Sequence, residues 1–256
     1  MAVLHKKHVA LKRFRSLLGR LQHTAQIIPA AKGMFLPLNE ATHSDPKKAG
    51  TGKASQVRAA LLNLKHVVLS LTSRPTHVSE LIEHKPELAG TRDASAAGAG
   101  AAWLRCDIQQ TAWQLEWPPE VIALHRKGTL MSSDLEMAGV LLQRLAAERL
   151  RPFWQCHTAI WSDNTPATSW STKMADTATA PIAGQLLRAL AMRQRTHGVA
   201  LPSVTHCAGA QNLLADTATR SFAKFHMDLP ANSPPCLTAN FQRPSIACFL
   251  SLPFHR

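Results

Sequence analysis

Between residues 87 and 117 three extended segments follow in quick succession: ELAGTRDAS at 87–95, GAAWLRC at 100–106 and TAWQLEW at 111–117. The small-residue stretch AAGAG turns the chain between the first two, so the three read as a meander of strands. The period then changes. DLEMAGVLLQRLAAERL at 134–150 carries its apolar residues at helical spacing, and Ser133 with Glu136 forms a capping-box pattern at its start. CHTAIWSD at 156–163 reads as a fourth strand and PSVTHC at 202–207 as a fifth, with helices expected near 164–174, 181–197 and 210–223. The order β-β-β-α-β-α-α-β-α predicts an α/β fold: a five-stranded mixed sheet with helices packed on its faces.

The sequence ahead of this body is helical and basic. At 9–28, Leu11, Phe14, Leu17, Leu18, Leu21, Ala25 and Ile28 recur at threes and fours, with Lys12, Arg13, Arg15 and Arg20 between them. Pro29 and Gly33 end that helix, and a second short one is expected over 32–41. HSDPKKAGTGKAS at 43–55 reads as a linker. Its GTGKAS is no phosphate loop, because Lys47 stands where the first glycine belongs and Ala54 where a Ser or Thr would bind magnesium. A helix at 56–72 and a short one near 77–83 follow. The expected divisions are a helical segment at 1–42, linker and helices at 43–86, the α/β domain at 87–223 and a Pro- and Ser-rich tail at 224–256.

Charge narrows the partners. The net charge of +13 is concentrated at the front: residues 1–92 hold 15 basic and 5 acidic side chains, whereas 93–220 hold 11 and 10. A basic arm with interleaved apolar residues suits a polyanion, most often nucleic acid, although a solvated basic face has the same composition. No apolar run of about 18 residues exists, so no membrane-spanning helix is expected. The N-terminus lacks the unbroken apolar core of a secretory signal, and an intracellular location, nuclear or cytoplasmic, is expected. The five cysteines are odd in number and widely spaced, without C-x-x-C, which argues against a disulfide framework. The adjacent pairs Cys156-His157 and His206-Cys207 lie in expected strands, where neighbours face opposite ways and rarely grip one ion.

Four acidic residues fall at pointed places in the element order. Asp93 is on the first strand, Glu136 in the first turn of the helix at 134–150, Asp163 at the end of the fourth strand and Asp216 in the last helix. If the first and fourth strands are neighbours, Asp93 and Asp163 lie side by side and Glu136 is presented to the same spot. Carboxylates gathered in this way repel one another unless a cation sits between them, and magnesium or manganese suits such oxygen ligands. Two such ions can hold both the attacking water and the leaving oxygen of a phosphodiester displacement. Simpler roles are open to each residue. Glu136 or Asp134 could cap the helix, Asp163-Asn164 could be a strand-end turn or cap, Asp216 a solvated helix residue and Asp93 an ordinary hairpin residue. Their joint order favours the shared site.

The blocks DASAAGAGAAW, SDLEMAG, AIWSDNTPATSW and THCAGAQNLLADTATR resemble the ribonuclease H domain of retroelement Pol polyproteins, of DIRS type or related. The resemblance implies a ribonuclease H-like fold with Asp93, Glu136, Asp163 and Asp216 as ligands of two Mg2+ or Mn2+ ions. It also implies a role for His206 in product release or proton transfer, within the pattern H-x-x-G-x-x-N-x-x-x-D that runs to Asp216. The N-terminal stretch LKRFRSLLGRLQHTAQIIPAAKGMFLPLNEAT resembles the thumb or connection segment of the same polyproteins, so the likeness spans about residues 9–223. The implied activity is metal-dependent cleavage of the RNA strand of RNA/DNA hybrids. Lys12, Arg13, Arg15 and Arg20 would contact phosphates. The chain has no tyrosine, so the Y-x-D-D polymerase motif of that family is absent. A catalytically inactive nucleic-acid-binding remnant and another nuclease of the same superfold are the competing expectations. Protein partners are not legible.

Overall fold

The computed structural model describes residues 10–28, 31–43, 51–80, 82, 85–104, 111–150, 157–174, 181–197 and 201–220. The expected tail at 224–256 and positions 44–50 of the expected linker lie outside the described residues. The chain forms two units. The first contains the described residues up to Ile82, with Met174 and the segment 181–197; the second contains 85–173 and 201–220.

The second unit is built on the expected sheet. Its strands are β1 (Leu88–Ala94), β2 (Gly98–Leu104), β3 (Thr111–Glu116), β4 (Thr158–Ser162) and β5 (Ser203–His206), in the order β3-β2-β1-β4-β5. β1–β2 and β2–β3 pair antiparallel, while β1–β4 and β4–β5 pair parallel. This is the five-stranded mixed sheet with flanking helices that the element order predicts. The central pairing of β1 with β4 brings their C-terminal ends together, because Thr91 lies opposite Trp161 in a parallel register.

Small residues set how closely the layers approach. Side chains alternate faces along a strand, so Gly90 and Arg92 share one face of β1 and Asp93 takes the other. A Cβ on Gly90 would come within 2.6 Å of the Ala102 carbonyl, the Gln143 amide and the Trp103 ring. The glycine therefore makes room for Trp103, its cross-strand partner. On the opposite face, a Cβ on Gly100 would meet the backbone of Ala218 at 2.7 Å. Glycine there lets helix α8 (Leu213–Arg220) lie flat on β1 and β2.

The helix over the Gly90 face, α5 (Ser132–Leu150), is buried nearly all round, with Leu135, Met137, Ala138, Val140 and Ala147 among its buried apolar residues. It starts one residue before the expected capping box. The backbone N–H of Met131 donates to Asp134 Oδ2 at 2.9 Å, so Asp134 rather than Glu136 caps this helix. The Ser133–Glu136 box is not formed. Helix α6 (Thr165–Lys173) is capped by Asn164, whose Oδ1 accepts from the Ala167 N–H at 2.9 Å.

A helix absent from the sequence expectation, α4 (Pro119–Arg126), joins β3 to α5. Its signal was present: Pro119 in the first turn followed by Glu120, and Gly128 at φ 72 just past the end.

The first unit holds α1 (Leu11–Thr24), α2 (Leu36–His43), α3 (Thr51–Ser73) and α7 (Pro181–His197), with 3-10 turns at Ala25–Ile27, Ala31–Met34 and Val78–Glu80. α3 begins at Thr51, inside the segment 43–55 expected as linker, and among the described residues the short helix expected near 77–83 contains the last of these 3-10 turns. Met34, Leu38, Val67, Leu186 and Leu187 are buried at the core of this unit. Arg195 of α7 is 5 % exposed and donates to Ser70 Oγ at 2.8 Å and to the Arg74 carbonyl, which ties α7 to the end of α3. Among the described residues no helix is long and apolar enough to cross a membrane.

Candidate metal centre

Three of the four expected acidic residues meet. Asp93 comes from β1, Glu136 from the first turns of α5, and Asp163 from the residue after β4. One carboxylate oxygen from each lies within 4.8 Å of the other two. Asp93 and Asp163 are half-buried and Glu136 is buried. The local structural duties fall to neighbours: Asp134 and Asn164 do the capping, which leaves Glu136 and Asp163 to face the shared spot.

Asp216 is not among the three. It sits half-buried in the first turn of α8, close enough for its charge to bear on Asp93. His206 ends β5, exposed, opposite Ser162 in the parallel register and so one residue across from Asp163. Gly209 leaves space for the Asp163 carboxylate, since a Cβ there would stand 3.2 Å from Oδ2. Asn212 is buried and donates from Nδ2 to the Arg92 carbonyl at 2.9 Å, pinning the start of α8 to β1. The residues His206, Gly209, Asn212 and Asp216 of the spaced pattern thus lie along one stretch leading from β5 into α8.

The basic residues of α1 belong to the first unit. Lys12 and Arg13 are exposed. Arg15 is exposed overall but donates from Nη2 to the Thr42 carbonyl at 3.0 Å, a tie to the end of α2. Arg20 is also exposed.

The residue that sequence reasoning missed is Arg92. It is fully buried; its Nη1 donates to Glu136 Oε2, and its Nη2 donates to Ser162 Oγ at 2.9 Å. Gly139 makes space for it, as a Cβ there would lie 3.1 Å from Nη1. An arginine beside the first aspartate, with a glycine three residues after Glu136, was the available signal.

Burial dominates the electrostatics. It pushes the Glu136 carboxyl from its ordinary 4.5 up to about 7, against the opposing pull of Arg92. Burial also raises Asp93, opposed by a hydrogen bond with the Thr219 side chain and reinforced by the charges of Asp163 and Asp216. Burial lowers Arg92, with Glu136 pulling the other way, and an arginine keeps its proton throughout the working range. Hard oxygen donors, like charges crowded together and carboxyls resisting ionisation are what a divalent cation relieves, so the residues fit Mg2+ or Mn2+.

A pH dependence follows for the protein kept in chelator. Between about 4.5 and 7 the unfolded chain has released the Glu136 proton that the folded chain still holds, so stability falls as pH rises. The expected loss is on the order of 3 kcal/mol. Urea titrations at a series of pH values check it. Glu136→Gln should remove most of the slope, and an unchanged slope in that variant would show that Glu136 is not its source.

No protein-family model matches the chain, and no curated protein does. Among solved structures it is similar to ribonuclease H1 from the halophilic archaeon Halobacterium salinarum NRC-1. The identity is 15 %, over 51 % of this chain and 92 % of that one, with a TM-score of 0.37.

Proposed function

We propose that the protein is a metal-dependent endonuclease that cleaves the RNA strand of RNA/DNA hybrids. On this reading it is the ribonuclease H portion of a retroelement Pol polyprotein, of DIRS type or related. The observation that supports the activity is the meeting of Asp93, Glu136 and Asp163 within 4.8 Å, from three separate elements.

Asp93, Glu136 and Asp163 would hold the divalent cation, with Asp216 beside them completing the set for a second ion. When bound, the metal supplies a polarised water and offsets charge on the phosphodiester. The carboxylates would hold the ion so that a water oxygen forms a bond to the scissile phosphorus as the P–O3′ bond breaks; a proton released by that water reaches the departing 3′ oxygen through solvent, leaving a 3′-hydroxyl and a 5′-phosphate. His206, exposed at the end of β5 opposite Ser162, would carry a proton to or from solvent on this reading. The hybrid presents its 2′-hydroxyls in the minor groove, the feature that separates it from duplex DNA. Lys12, Arg13, Arg15 and Arg20 would contact phosphates, with Arg15 also serving its tie to α2.

A labelled-hybrid cleavage assay with Mg2+ and with chelator tests the reading. Cleavage only with metal is expected. Tight binding without cleavage would favour the inactive remnant, and equal cleavage of duplex DNA would favour another nuclease of the superfold. The paired variant Lys12→Ala/Arg13→Ala should weaken binding on any sequence and lower the salt slope by about 2, one unit for each phosphate no longer neutralised. An unchanged slope in a salt titration would remove α1 from the interface.

A further inference from the structure

The site contains a positive charge that no metal supplies. Arg92 lies beside Asp93, bonds Glu136, and bonds one residue close in sequence to each of Asp163 and Asp216. Its backbone adjoins Asp93 on β1. Its Nη1 donates to Glu136 on α5, and its Nη2 donates at 2.9 Å to Ser162, the residue before Asp163. Its carbonyl accepts from Asn212 at 2.9 Å, at the entrance to α8 and Asp216. Ser162 Oγ in turn accepts from the Asn164 N–H at 3.1 Å, which fixes the turn that presents Asp163. The side chain is fully buried, and Gly139 clears the space that it fills.

We propose that Arg92 is a positioning residue for the carboxylate set: its forked guanidinium sets the spacing between Glu136 and the end of β4, so that the ligands stand assembled before any metal arrives. The inference rests on the reading of Asp93, Glu136 and Asp163 as metal ligands. The fork is the essential feature. A guanidinium offers two parallel N–H groups in a rigid plane and can bond two acceptors at once, whereas a lysine ammonium is a point charge on a flexible stem. Groups that orient metal ligands commonly contribute about 10–100-fold to metal affinity or activity. A guanidinium acting only as a nearby charge would have the opposite effect, repelling the cation.

Mn2+ binding measured by titration calorimetry on the whole chain separates these roles, with the hybrid assay run alongside. Arg92→Lys keeps the charge and loses the fork, and is expected to bind Mn2+ about 10–100-fold more weakly with an unaltered circular dichroism spectrum. Ser162→Ala removes one acceptor of the fork and is expected to shift affinity in the same direction by a smaller factor; it serves also if Arg92→Lys fails to fold. Wild-type affinity in a folded Arg92→Lys, or in Ser162→Ala where Arg92→Lys does not fold, overturns the proposal, as does tighter binding in either variant. A wild-type protein that binds Mn2+ but cuts no hybrid overturns the nuclease reading alone and leaves the role of Arg92 standing. A wild-type protein that binds no Mn2+ overturns both.

Discussion

Asp163→Asn is expected to reduce metal-dependent hybrid cleavage by more than about 100-fold while leaving the fold in place, since even groups that merely orient metal ligands are worth about 10–100-fold. The carboxylate stands at the mouth of β4, half-buried, where an amide of the same shape fits without repacking. It contributes one of three oxygens lying within 4.8 Å of one another. Like charges at that separation repel one another. In chelator the variant should therefore melt at or above the wild-type temperature, because repulsion is relieved. The wild type should gain thermal stability on addition of Mn2+, and the variant should lose most of that gain. Asp93→Asn should behave alike. Wild-type cleavage by a purified Asp163→Asn protein would end the site assignment.

Trp103→Ala should cost about 3–5 kcal/mol, the range for emptying a buried aromatic site. Trp103 is 1 % exposed, and its ring lies over Gly90 on the neighbouring strand, where a glycine leaves the surface that the ring covers. Small domains are stable by only about 5–15 kcal/mol, so this loss is a large part of the whole. It also falls where the site is built, since β2 pairs with β1 from Ala89 to Ala94, past Asp93. Gly90→Ala attacks the same packing from the other side, with an expected cost of about 1–3 kcal/mol, because the new Cβ meets a backbone carbonyl that cannot turn away. Chemical denaturation of both variants measures the losses. Trp103→Phe is the control: it keeps an aromatic ring and removes a buried indole N–H that has no hydrogen-bond partner among the described residues, so it should stay within about 1 kcal/mol of the wild type. A small loss in Trp103→Ala would show that β2 does not depend on this packing.

The order of elements and the type of each were legible along the chain because they follow from local period. Alternation gave the five strands, helical spacing gave α5, α6 and α7, and the observed bounds differ from the expected ones by a few residues at most. α4 escaped notice because its eight residues are too few to establish a period, leaving only Pro119 and Gly128 as markers. The start of α3 was hidden by the Gly- and Lys-containing composition of 51–55, which suits a linker as well as a first turn. The capping of α5 went to Asp134 rather than Glu136 because the helix starts at Ser132, two residues before the expected 134, a detail that a capping-box pattern cannot resolve when two acids stand two apart.

The sequence by itself determined which residues carry charge and on which elements they ride. It placed Asp93 on the first strand, Glu136 near a helix start and Asp163 at a strand end. Only the tertiary structure decided which of them meet. That depended on β1 lying beside β4 in parallel register, a long-range pairing that no local pattern encodes. The same packing set Asp216 apart from the closest three, and it turned Arg92 inward between Glu136 and Ser162. A buried arginine is unreadable in one dimension, because its desolvation is tolerable only where acceptors from distant parts of the chain converge on it.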